Sequence, residues 1–383
     1  MTNVELKEKI IEYSKEIGID KIGFASADPF LTLKDRLLEQ QRLQYQSGFE
    51  EKDIDKRVTP KKLLPEAKTI IAIALAYPSK MKNEPKNKKG ERRGRFCRAS
   101  WGEDYHRVLQ NRLEKLEDYI MSLVPEAACK SMVDTGELSD RAVAERAGIG
   151  WSGKNCAIIT PEFGSYVYLG EMITTLSLPP DTPITDQCGT CNKCVEACPT
   201  DALVQGGQLN SNKCIAYLTQ TKDFLPKQYR KQIGNRLYGC DTCQQVCPEN
   251  KGRDIHSNEE FEPDPDIVKP LLIPILQLSN REFRENYGPL AGSWRGKKPI
   301  QRNAIIALGN YKEESAIEVL EDLLLHDPRP IIRGSAAWAL GQINTERSAL
   351  SLYRAKETEK DSDIVKEINE ALDYITSEVR YAK

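Results

Sequence analysis

The chain is expected to join an α/β domain, a cysteine-rich metal-binding segment and an α-helical repeat tail. Three observations predict this. Strand-like and helix-like apolar patterns alternate over residues 1–180, eight of eleven cysteines fall between Cys188 and Cys247, and an Ala-Leu-Gly triplet recurs at a spacing of 32 towards the carboxyl end. With 383 residues, 39% hydrophobic and 29% charged, the chain can build two or three ordinary cores. The expected boundaries are 1–180, 181–260 and 261–383.

Residues 4–17 carry apolar positions near helical spacing, and Lys21-Ile-Gly-Phe-Ala25 and Thr69-Ile-Ile-Ala-Ile-Ala-Leu-Ala-Tyr77 read as strands. Residues 80–98 hold nine Lys or Arg against two Glu and are expected to form a basic loop. Helical periodicity returns over 105–123 and again over 137–147. Residues 157–160 and 165–169 read as strands, and the α/β domain should close near Leu178, with Pro179, Pro180 and Pro183 marking a linker. In the tail, Ala307-Leu308-Gly309, Ala339-Leu340-Gly341 and Ala371-Leu372-Asp373 predict two or three HEAT-like helix pairs, the last degenerate.

The cysteines carry chemistry. Cys188-x2-Cys191-x2-Cys194-x3-Cys198-Pro199 has the spacing of a bacterial two-cluster ferredoxin, in which the fourth thiolate crosses to the other cluster. Cys240-x2-Cys243-x3-Cys247-Pro248 supplies the last three positions of a second run, and Cys214, displaced upstream, fills the first. Pseudo-symmetry assigns Cys188, Cys191, Cys194 and Cys247 to one 4Fe-4S cluster, and Cys198, Cys214, Cys240 and Cys243 to the other. Paired structural zinc sites are the alternative, since four thiolates also suit zinc; three ligands within seven residues and the Cys-Pro endings favour clusters. Cys129 and Cys156 read as buried or incidental thiols, whereas Cys97 lies in the basic loop. Residues 141–155 combine a helix, a Gly148/Gly150 stop and a Gly153-Lys154-Asn155 turn, which could cradle a phosphate or simply end the helix.

Several stretches together resemble the epoxyqueuosine reductase family: Arg98-Ala-Ser-Trp-Gly-Glu-Asp-Tyr-His106, Val133-Asp134-Thr135-Gly136, Arg146 to Asn155, the cysteine pattern, and Ser293-Trp-Arg-Gly-Lys-Lys298. The similarity covers essentially the whole chain. It implies a cobalamin-dependent oxidoreductase that completes queuosine at the tRNA wobble position by deoxygenating an epoxide to an alkene. The cobalamin-binding domain is then nitroreductase-like and related to reductive dehalogenases, and the HEAT-like repeats help hold tRNA. Family correspondence places Arg57, Cys97, Asp134, Arg141, Lys154, Asn155, Ile158 and Leu169 around cobalamin. Asp134 and Cys97 face the reaction, and Ile158 and Leu169 contribute backbone or packing. Asp134 is the expected proton donor, against a plain reading as a helix cap or Asx-turn. The Asp-x-His-x-x-Gly cobalamin motif is absent, because Arg-Val-Leu follows His106, so His106 reads as a hydrogen-bonding or packing residue before a cobalt ligand.

With a net charge of −2, nucleic-acid binding has to rest on local patches. Arg281, Arg284, Arg295, Lys297, Lys298, Arg302 and Arg333 are the expected tRNA-binding set. A flavodoxin, a ferredoxin or their reductase would supply electrons. No run of about 18 apolar residues and no cleavable leader is visible, which predicts a cytoplasmic, membrane-free protein, and a monomer is expected. The competing readings are a non-catalytic iron-sulfur electron-transfer protein and a cluster-fed reductive dehalogenase.

Overall fold

The computed structural model describes residues 1–381, with side chains to 377. The chain gathers into two compact units, each assembled from three stretches: residues 1–80, 102–214 and 241–262, and residues 81–101, 215–240 and 263–383. The three consecutive segments set out from sequence therefore do not map one to one onto these units.

The first unit is built on a four-stranded antiparallel sheet. Its strands are β1 (Lys21–Ser26), β2 (Thr69–Ala76), β3 (Cys129–Met132) and β4 (Val167–Thr174), in the order β1-β2-β4-β3. Both strands expected from the apolar runs at 21–25 and 69–77 are present, and β2 is buried at every position, as a central strand covered on both faces must be. Helix α1 (Asn3–Glu16) starts on a Thr2/Glu5 capping box and lies against α2 (Tyr105–Leu123) through stacked Tyr13 and Tyr119 rings, 4.1 Å between centroids. Helix α3 (Asp140–Arg146) packs on the sheet and stops at Gly148, whose φ of +68° and approach to the Thr182 carbonyl both exclude a side chain. Residues 158–159 pair with Trp151–Ser152 in a small hairpin, and the strand expected at 165–169 runs on to Thr174. Helices at Leu31–Arg42 and Ile54–Val58 went unread in the sequence.

The second unit is helical. Helices α4 (Lys297–Tyr311), α5 (Ile317–His326), α6 (Pro330–Ile343), α7 (Glu346–Thr358) and α8 (Ser362–Tyr381) form the repeats. The period of 32 has a steric origin. A Cβ on Gly309 of α4 would lie 2.9 Å from Ala339 Cα of α6, and one on Gly341 would lie 3.0 Å from Ala371 Cα of α8. Each glycine thus admits the alanine of the next copy, and Asp373, at the equivalent place in the third copy, is exposed. The basic stretch is mostly loop, as expected, but several of its charges are engaged: Arg92 pairs with Glu313 and Arg93 with Asp266, both at 2.8 Å, and Lys89 reaches Glu314 at 3.4 Å. Among the described residues no helix is long and apolar enough to cross a membrane.

Candidate active site and cluster segment

Cys188, Cys191, Cys194 and Cys247 line one cavity of the first unit, together with Lys154, Asn155, Gln187 and Glu249. Burial, and then the neighbouring Cys247 and Cys188, push the Cys194 thiol up. Burial likewise raises Cys247, with Cys188 again beside it. The thiols therefore share one electrostatic environment, and iron bound there would convert all four to thiolates. Among the described residues no three Cys, His, Asp or Glu side chains converge tightly enough on one point to hold a single ion. Of the second set, Cys198, Cys214 and Cys243 belong to the first unit and Cys240 to the second. Cys129 and Cys156 are half-buried thiols raised by burial.

Lys154 and Asn155 sit on the turn joining the small hairpin. Lys154 Nζ donates to the Gly189 carbonyl at 2.7 Å and to Asn192 Oδ1 at 3.1 Å, which fastens the turn to the loop bearing Cys188 and Cys191. The amides of Gly153, Cys156 and Ala157 bond within the turn, to Ala157 O, Gly153 O and Asn155 Oδ1, so these three are not offered to a phosphate. Asn155 is buried, and its Nδ2 has no hydrogen-bond partner. Arg141 donates to the Cys156 carbonyl. Ile158 and Leu169 belong to one apolar cluster with Ala72, Ala74 and Met132.

Asp134 follows β3 on a strained turn. Its φ is +52°, and the Thr135 N–H donates to the Val133 carbonyl at 2.5 Å, a three-residue γ-type turn that a side chain enters at a cost of about 1–3 kcal/mol. Several bonds hold it. Tyr105 Oη donates to Asp134 Oδ2 at 3.0 Å, His106 Nε2 lies 3.3 Å from the same oxygen, and the Asp134 N–H donates to Asp140 Oδ2 at 2.9 Å. Asp104 caps α2 and holds His106 Nδ1 at 2.7 Å. Burial works against the charged imidazole, but the bonds to Asp104 and Asp134 outweigh it and raise His106 to about 9. The His106 bond, opposed by burial, then holds the Asp134 carboxyl below the ordinary range. His106 is thus a protonated hydrogen-bonding residue, with both ring nitrogens committed to carboxylates. Arg57, Arg141 and Asp140 lie within electrostatic reach of one another: burial lowers Arg57, Glu50 opposes that, and Arg141 adds to it.

Sequence reasoning missed Asp140 and Glu171. Glu171 is 1% exposed in the middle of β4, opposite Ala72 and Met132, and no donor reaches either of its oxygens. One carboxylate inside an apolar strand was the available signal.

In the second unit, Cys97 sits against Gly239, where a Cβ would meet its sulfur at 2.2 Å, and its N–H donates to the Tyr238 carbonyl. The expected tRNA set divides. Arg281 and Arg284 are exposed, the first paired with Glu285 at 2.7 Å. Arg295 lies over the Trp294 ring at 4.9 Å and donates to the Gln220 carbonyl, and Lys298 is half-buried. Lys297 Nζ is turned to the Leu278 carbonyl at 2.7 Å. Arg302 is a correction. It is fully buried and donates to the carbonyls of Leu218, Thr219, Thr221 and Asp223, because its helix α4 lies in the apolar interior of the repeats. Arg333 is a second correction, since its guanidinium is largely buried and closed on Glu359 at 2.8 Å and on the Asp327 carbonyl.

Comparison with known proteins agrees along the chain. The family model described as epoxyqueuosine reductase QueG, DUF1730 matches residues 57–135, that of a 4Fe-4S double cluster binding domain residues 187–250, and that of HEAT repeats residues 295–373. An epoxyqueuosine reductase of Bacillus cereus is 65% identical, covering 97% of this chain and 98% of that protein. Two solved structures each superpose with a TM-score of 0.95 over 97% of this chain and 99% of theirs. One, 62% identical, is an epoxyqueuosine reductase with an epoxyqueuosine-modified tRNA-Tyr stem loop. The other, 61% identical and from Bacillus subtilis, is described as having its Asp134 catalytic loop swung out of the active site. Two 4Fe-4S clusters, and not structural zinc, are therefore the occupants of the cysteine segment, and the chain belongs to the epoxyqueuosine reductase family of enzymes.

Proposed function

We propose that the chain reduces epoxyqueuosine to queuosine at the wobble position of tRNA, with cobalamin as the reacting cofactor and two 4Fe-4S clusters as its electron supply. The observation that carries the reading is the Asp134 carboxylate, set on a strained turn one hydrogen bond from a protonated His106. Removing an epoxide oxygen takes two electrons and two protons, and at neutral pH a proton already resides on His106. As substrate excludes water from Asp134, its charged form loses solvation, and that proton is positioned to move onto the carboxylate and then to the departing oxygen. The modified stem loop in the related complex supports a tRNA substrate. The swung-out loop of the Bacillus subtilis enzyme supports a mobile Asp134.

The residues present fit cobalamin. Asn155 keeps a buried amide without a partner, Arg57, Arg141 and Lys154 offer cationic groups near the turn, and Ile158 and Leu169 supply apolar packing. Bound cobalamin would supply a centre that takes electrons singly and can bond to carbon. Arg57, Arg141, Lys154 and Asn155 would hold it, while Cys97 retains its place on the family resemblance alone.

The test is an absorption spectrum of anaerobic protein before and after cobalamin is added, followed by single-turnover reduction of an epoxyqueuosine stem loop. Asp134→Asn should lower the single-turnover rate by roughly 100- to 10,000-fold with clusters, cobalamin and RNA still bound. Near-normal turnover by the loaded variant would reduce Asp134 to a turn residue.

A further inference from the structure

Neither oxygen of Glu171 receives a hydrogen bond from any donor, although the side chain is almost completely buried. The group that faces it is another carboxyl, Asp140, and two carboxylates can satisfy each other only through a proton held between them. Burial, then the charges of Asp140 and Asp134, drive Glu171 well above the ordinary carboxylate range. Burial and the charge of Asp134 raise Asp140 to about 6. A buried carboxyl that no donor reaches is stable only with its proton, which makes Glu171 the donor of the pair and Asp140 the acceptor. Asp140 Oδ2 also accepts the Asp134 N–H at 2.9 Å, so the same carboxylate grips the strained turn from behind.

We propose that Glu171 and Asp140 are a positioning pair for Asp134: the proton they share keeps Asp140 on the Asp134 amide and holds the turn in the setting from which Asp134 reacts. This rests on the reading of Asp134 as proton donor. Loss of the shared proton places two buried anions beside each other and beside Asp134, and repulsion breaks the Asp140–Asp134 bond first, because it lies at the protein surface. Other charges act on the pair. From its own helix Arg141 favours the ionised Asp140, and Arg57 lies within electrostatic reach of Asp140. His106 reaches the pair only through Asp134. On the packed strands, Lys21 of β1 is paired with Glu162 and Lys130 of β3 with Glu137, and β2 carries no charged side chain. Glu117 of α2 is turned to Ser131.

The experiment is hydrogen exchange at the amides of residues 134–136 in the full-length, cluster-loaded protein between about pH 6 and 10, corrected for the intrinsic rate. The wild-type protein should lose protection as the shared proton leaves. Glu171→Gln supplies a donor that does not titrate, so its protection should stay level across the range. Asp140→Ala should speed exchange roughly 10- to 100-fold at every pH, the loss of one hydrogen bond to a charged acceptor. A level wild-type profile would overturn the proposal without any variant having to fold. A fall in Glu171→Gln that matches wild type would also overturn it and assign the titration to His106. Because exchange needs no turnover, a failure of Asp134 as proton donor is read separately, from Asp134→Asn in the loaded enzyme.

Discussion

Replacing Arg302 by Met keeps the aliphatic stem and removes a guanidinium that serves as an internal staple. Seven bonds to six acceptors are at stake, to the carbonyls of Leu218, Thr219, Thr221 and Asp223 and to the side chains of Thr221 and Asn303. They are not equal. Asn303 Nδ2 also donates to Thr219 O at 2.8 Å, so that carbonyl keeps a partner, and the Thr221 and Asp223 carbonyls lie where water can reach them. Leu218 O keeps the Thr221 hydroxyl at 3.0 Å, whereas the buried Asn303 Oδ1 loses its donor. One orphaned buried acceptor at about 1–3 kcal/mol, plus incompletely rehydrated neighbours, sums to roughly 2–4 kcal/mol. For a unit of roughly 170 residues this corresponds to a fall of about 4–16 °C in melting temperature. Calorimetry should show that fall, and stem-loop RNA measured well below the transition should bind with unchanged affinity and unchanged salt slope. An unshifted transition with weakened RNA binding would refute the reasoning and return Arg302 to the binding surface.

Cys247→Ala should remove the cluster of Cys188, Cys191 and Cys194 and spare the other, as read by iron content and low-temperature spin resonance; loss confined to the Cys198 set would reverse the assignment. Arg284 and Lys298 changed together to Ala should weaken tRNA binding and flatten its salt dependence with both clusters intact, and an unaltered salt titration would move the RNA elsewhere. His106 has a folded pKa raised to about 9, so its contribution to stability is fully present below its unfolded value of about 6.5 and is lost as pH rises through 9. Because Asp134 is largely exposed, solvent screening limits the effect to the order of 1 kcal/mol. Chemical denaturation of wild type against His106→Asn should show the two curves converging by about pH 10, and parallel curves would mean that His106 is neutral.

What was legible in the sequence is what local pattern encodes. The β2 run is apolar at nearly every residue because both its faces are covered, and the 32-residue period survives because Gly309 and Gly341 must each admit an alanine. The double-cluster segment announces itself by the spacing of its cysteines. Long-range pairing leaves no such trace. The pairing of Lys89, Arg92 and Arg93 in the basic loop could not be read there, because their partners Glu314, Glu313 and Asp266 lie more than 150 residues away. Arg302 and Asn303 directly precede the apolar run Ala304-Ile-Ile-Ala-Leu308 of their helix, a cue to burial that charge counting overrode. Asp134 was singled out by family resemblance, while the groups bonded to it, His106 and Asp140, come from two other elements.

Lys154 is held on both sides by the iron-binding segment: its ammonium on the Gly189 carbonyl and Asn192, its own carbonyl on the Gly207 amide, its stem against Gly206. The loop that bends around iron is therefore also the wall that shapes the turn of Lys154 and Asn155. On the function proposed above, oxygen that strips a cluster from such a protein would do more than cut the wire: it would slacken the neighbouring turn as well. Enzyme damaged in air should then fail twice from a single lesion, and rebuilding the iron should restore both functions together.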